Sequence, residues 1–147
     1  MKWTVMTAMF LGLSMAPDSA KDDINKKDLE KMQGDWAVLS MVADGTKISD
    51  DDAQVLFRTV KGNQYTVFLF KKPLSGGTFT IDASKQPKQI DAAPDNTPDK
   101  KPLLGIYELD GDKYKTCFAR AGKDRPTDFT AKPGSGRTLS VWKRDKK

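Results

Sequence analysis

Met32-Gln33-Gly34-Asp35-Trp36-Ala37-Val38-Leu39-Ser40 is the stretch that most restricts this chain, because a short polar helical pattern gives way at a glycine to a strand that opens on a tryptophan. Glycine permits a sharp turn and the close approach of a neighbouring backbone. An indole two residues later supplies a large apolar plug whose N–H still needs an acceptor. A first strand that begins this way suits the closed end of a small up-and-down barrel.

The pattern downstream agrees with that architecture. Residues 55–61 and 65–71 flank Gly62-Asn63-Gln64, and 103–109 and 113–120 flank Asp110-Gly111-Asp112, both of which read as hairpins. Residues 78–83 alternate, with Phe79, Ile81 and Ala83 on one face and Thr78, Thr80 and Asp82 on the other. In 65–70 both faces carry apolar groups, so one fills an interior and the other needs a cover. Adding 127–132 and 137–144, joined by Pro133-Gly134-Ser135-Gly136, predicts eight strands starting near 35, 54, 64, 77, 103, 113, 127 and 137. Short turns make most neighbours antiparallel, and eight antiparallel strands can close into a barrel that is either filled or holds one small ligand. Residues 84–102, rich in proline and aspartate, read as a long loop. Loops of that length in a small domain are functional or disordered.

Before the strands, Met1-Lys2, the apolar run 3–15 and the small residues Ala16, Ser19 and Ala20 read as a signal peptide over 1–20. The run falls short of the roughly 20 apolar residues of a spanning helix, so the expectation is an exported, periplasmic or extracellular protein with no stable membrane insertion. Residues 21–28 read as a tether and 29–147 as the domain. Ile24, Leu29 and Met32 are compatible with one face of a short helix over 23–32. Ser49 is expected to cap a single helical turn, with Asp50, Asp51 and Asp52 at its positive end. These aspartates lack the alternation and the glycine of a calcium loop.

Composition argues against catalysis. The chain has no histidine, the commonest general base and metal ligand. Its single cysteine, Cys117, lies mid-strand with no base to activate it and no partner for an intramolecular disulfide. No Gly-x-Ser-x-Gly elbow occurs, and an aspartate-based hydrolase drawn from residues such as Asp82 and Asp91 has no spacing that selects a pair. No metal or cofactor motif is present. The net charge of +5 is dispersed, basic only around 120–125 and 143–147, without the interleaved aromatics of a nucleic-acid surface.

What remains is a binding module. One barrel end is plugged by Trp36, and the other opens beneath 84–102 onto an apolar pocket for a small ligand. Tyr65, Phe68, Phe79, Tyr107 and Phe118 are its candidate lining, each also able simply to fill the core. Inward small residues such as Ala83, Thr116 and Ser140 would leave room for a ligand. Aromatics meeting across the axis would instead make a solid-cored domain that binds another exported protein or polymer through its loops.

Leu29-Glu30-x-x-Gln33-Gly34-x-Trp36, Asp44-Gly45, Pro87-Lys88-x-Ile90-Asp91, Gly105-Ile106-Tyr107-Glu108-Leu109-x-Gly111-Asp112, Arg125-Pro126-x-x-Phe129 and Lys143-Arg144 stand in an order similar to that of an uncharacterised lipocalin-like domain family abundant in planctomycetes. The resemblance runs from about 29 to 144 and implies a fold and an extracytoplasmic setting, without a reaction. More distantly the chain resembles lipocalins, through Gly34-x-Trp36, Thr127-Asp128-Phe129 and Arg144. That likeness implies a closing-strand arginine laid over the tryptophan, a cation–π contact worth roughly 0.5 to 2 kcal/mol. Phe129 stands where that family has tyrosine, and no disulfide pins the C-terminus. If Leu139 and Val141 point inward, Arg144 faces outward unless a bulge intervenes.

Overall fold

The computed structural model describes residues 17–97 and 101–146. It is a closed barrel of eight antiparallel strands with a helix at its N-terminus, the lipocalin-like arrangement the pattern predicts. Helix α1 (Pro17–Met32) leads into β1 (Gly34–Ala43), the two-residue β2 (Thr46–Lys47) and a single turn α2 (Asp50–Ala53). The strands β3 (Leu56–Lys61), β4 (Gln64–Leu69), β5 (Lys72–Asp82), β6 (Lys88–Pro94), β7 (Leu103–Asp110), β8 (Lys113–Phe118) and β9 (Thr138–Arg144) then pair in sequence order. Pairing of β9 with β1 closes the ring, and β2 is a short addition to the upper edge of β1.

Two strand assignments differ from the sequence reading. Residues 127–132 form no strand, and the segment expected as a loop over 84–102 contains β6. Pro87 and Pro94 bound that strand, Ile90 and Ala92 alternate inward, and Lys88–Ala92 pairs with β7 through Ile90 against Gly105. Once β9 is bonded to both β8 and β1, no edge is left for 127–132. It lies instead over the outer face of β7 and β8, where Ile106 and Cys117 are register partners and both buried. The Cys117 thiol donates to the Thr130 carbonyl at 3.5 Å, and Lys115 Nζ sits 4.7 Å from the centre of the Phe129 ring.

The signal-peptide reading falls on residues 1–20, of which 1–16 lie outside the described residues. The 21–28 tether is corrected, because it is part of the sixteen-residue α1. Asn25, Asp28, Leu29 and Met32, at helical spacing, face the barrel. Ile24, expected among them, is exposed. Two polar residues on the inner face escaped a search for apolar periodicity, yet both are satisfied. Asn25 accepts from the Ala83 amide at 2.7 Å, and Asp28 accepts from Tyr107 Oη at 2.7 Å while pairing with Lys88 Nζ at 2.8 Å. The Ser49 cap forms as expected, its hydroxyl accepting from the Asp52 amide at 3.1 Å.

Trp36 is fully buried beneath α1. Its indole N–H donates to the Met32 carbonyl at 2.9 Å, and its ring lies 5.5 Å from that of Tyr114. Arg144 covers it, guanidinium carbon 4.3 Å from the ring centre, while donating to the carbonyls of Gln33 at 2.7 Å and Lys31 at 2.6 Å. Gly34, at φ +112°, makes room for that arginine, since a Cβ there would stand 3.1 Å from its Nη1. The facing of Arg144 resolves simply: Ser140, Trp142 and Arg144 share the inward face of β9, and Leu139 and Val141 the other. A bulge does occur, but on β1 between Val38 and Ser40, leaving Leu39 exposed and turning Met41 and Ala43 toward the interior.

Candidate functional site

At the end opposite α1 the barrel is not filled. A cavity of about 730 Å³ opens there, within the roughly 300–1,000 Å³ usual for small-molecule pockets. It exists because the inward positions of this half carry small or aliphatic side chains: Ala92 on β6, Thr116 on β8 and Ser140 on β9, with Leu56, Val67, Leu69 and Leu103 around them. Thr116 and Ser140 stand opposite one another in the β8–β9 register, so two adjacent strands contribute no bulk at the same level. Ala83, grouped with them from sequence, is buried at the other end beside Asn25.

Of the five aromatics expected to line the pocket, Tyr65 and Phe118 do so. Phe68, Phe79 and Tyr107 do not. Phe68 pairs with Phe57 on the outward face, where the alternation of β4 puts it. Phe79 is packed in the core with its ring 6.4 Å from Tyr65. Tyr107 is tied to Asp28 under the helix, and burial, then that carboxylate, push its phenol far above the ordinary range. Gly34, Trp36 and Arg144 meet at the closed end as expected.

Sequence reasoning missed the two largest groups at the bottom of the cavity, Trp142 and Arg58. Arg58 occupies an inward position on β3, between Leu56 and Val60, and is only 5 % exposed. The signal was available: an arginine in the middle of an alternating apolar run. Its guanidinium carbon lies 4.8 Å from the centre of the Tyr65 ring and 5.5 Å from that of Tyr114. Burial raises both phenols above their usual acidity range, with Arg58 pulling the other way, so both rings stay neutral near neutral pH. Arg58 Nε, Tyr114 Oη and Trp142 Nε1 are buried without a hydrogen-bond partner among the described residues.

The mouth is differently made. Arg137 pairs with Asp128 at 2.9 Å, and Arg120 approaches Asp44 at 4.0 Å. Beside them the β4–β5 hairpin projects Phe70, 63 % exposed, and Leu74, 59 % exposed. Phe70 and Lys71 turn this hairpin at φ +52° and +63°, conformations more usual for asparagine and glycine.

No family model, curated protein or solved structure matches this chain. Among the described residues no group of three or more cysteine, aspartate or glutamate side chains is placed to hold a metal ion, and no helix is long and apolar enough to cross a membrane. Cys117 is buried against Thr130, away from the cavity lining, and burial pushes its thiol up, opposite to the shift that activates a nucleophile.

Proposed function

We propose that this protein is an exported, non-catalytic carrier that holds a small, largely apolar molecule in the open half of its barrel. The carrying observation is the cavity of about 730 Å³, walled by aliphatic side chains and reached from one end only, the other being sealed by Trp36 and α1. Burying an apolar molecule there gains on the order of 25 cal/mol per Å² removed from water. The resemblance to the planctomycete lipocalin-like family and to lipocalins is part of this reading, and so is the signal peptide that would send the chain out of the cytoplasm.

Native mass spectrometry of the purified protein tests it, together with tryptophan fluorescence as a neutral apolar probe is titrated in. Trp142 borders the cavity, so occupancy is expected to change its emission. A clean apo mass and unchanged fluorescence would end the carrier reading.

A second reading rests on the β4–β5 hairpin. Exposed Phe70 and Leu74 beside the mouth support contact with a partner protein through the loops. Pull-down with the protein and its Phe70→Ser variant separates the two readings, because Phe70 lies outside the cavity lining, so the variant loses a loop-bound partner and keeps a cavity-bound ligand.

A further inference from the structure

Arg58 is a cation in the wrong place for a purely apolar pocket. Taking a guanidinium charge out of water without an ionic partner is costly. Among the described residues Arg58 forms no ion pair, and its Nε is buried without a hydrogen-bond acceptor. The two neighbouring phenols give it ring faces and no negative charge. By contrast, the arginines at the mouth each have an aspartate. The floor of the cavity therefore presents a planar cation with no ionic partner among the described residues, and Trp142, whose indole N–H also lacks an acceptor there, borders the same cavity. The Thr116 and Ser140 hydroxyls stand in the adjoining wall.

That combination has a definite complement. A guanidinium fork matches a carboxylate with two parallel hydrogen bonds, and a monoanion neutralises a single arginine. We infer that the ligand is an amphipathic monocarboxylate of the fatty-acid kind, bound head inward, with its carboxylate on Arg58 and its chain running along Val67, Leu69 and Leu103 to the mouth. This rests on the carrier reading above and names the chemical class of its ligand.

The test is isothermal titration of the full chain with dodecanoate, dodecanol and dodecylamine, each below its micelle concentration. Dodecanoate is expected to bind at least about tenfold more tightly than dodecanol, the size of a charge-assisted hydrogen bond, and dodecylamine most weakly. Arg58→Met should reduce dodecanoate to the level of dodecanol and leave dodecanol unchanged or improved. Arg58→Lys, which keeps the charge and loses the fork, should fall between. Arg137→Met at the mouth should leave the order intact.

Equal binding of acid and alcohol by the wild-type protein would overturn the head-inward proposal while leaving the carrier reading in place. So would a preference for acid that is lost in Arg137→Met but kept in Arg58→Met. Binding of none of the three would end both. The wild-type series decides the matter even if Arg58→Met does not fold.

Discussion

Arg58 and Arg144 are both direct cross-strand neighbours of Trp36, one on β3 and the other on β9, yet their surroundings differ completely. Arg144 lies over the indole and spends its donors on two carbonyls at the end of α1 and the residue after it. It also faces Asp112 at 3.6 Å. Arg58 is more deeply buried, lies over two phenol rings, and its Nε has no hydrogen-bond partner among the described residues. Under the helix, the buried polar groups of the closed end have answering groups: Asp28 with Lys88 and Tyr107, Asn25 with Ala83, the Trp36 indole with Met32. The cavity lining keeps two unanswered groups among the described residues, Arg58 Nε and Trp142 Nε1, and Tyr114 Oη, also unanswered, belongs to the ring packed between Arg58 and the Trp36 plug. A fold does not need an unpaired buried charge for stability, so the contrast separates the half of the barrel that holds the molecule together from the half available for binding.

The sharpest way to break this contrast is to remove the plug. Trp36→Ala is expected to cost about 3–5 kcal/mol, the range for large aromatic to alanine changes in cores, read from urea denaturation. A smaller loss would mean that the closed end is not the stabilising half. Asp28→Ala strands Lys88 and Tyr107. Because Lys88 is partly exposed, about 2–3 kcal/mol is expected, below the roughly 3–5 kcal/mol of a fully buried pair.

Arg144→Met should cost about 2 kcal/mol, since it frees two carbonyls and one ring face. Alkaline pH probes the tyrosines. Tyr107, Tyr114 and Tyr65 all have phenols raised above their ordinary range in the folded state. Their stabilisation is fully present below the unfolded value of about 10 and is lost as pH rises above it, by about 1.4 kcal/mol per pH unit for each phenol the fold keeps protonated. Melting temperatures should fall above that pH, and Tyr107→Phe should flatten the fall. The smallest effect sharpens the comparison most. Arg58→Met should change stability by less than about 1 kcal/mol or raise it, because no pair is broken. A loss as large as that of Arg144→Met would erase the distinction between the two arginines.

Much of the closed end was legible in the sequence. Gly34 two residues before Trp36, with Arg144 near the C-terminus, named a turn, a plug and its cover, and each is local chemistry that neighbouring residues announce. The cavity was legible only in part. Thr116, Ser140, Tyr65 and Phe118 line it as expected, but Phe68 faces outward and Tyr107, though inward, reaches toward Asp28 at the closed end. Arg58 passed unnoticed because a charge inside an alternating strand reads as a surface residue until its neighbours are known.

By itself the sequence determined the antiparallel barrel class, the hairpins at Gly62 and Gly111, the cap at Ser49 and the plug at Trp36, because turn chemistry and period-two alternation act over a few residues. Tertiary structure decided the rest. Whether 88–94 or 127–132 became a strand depended on which sheet edges remained free once β1 and β9 had joined. Which side of β1 faced inward changed at a single bulge. That Arg58 stands without a counterion among the described residues is a fact about every strand around it, and no one stretch of chain contains it.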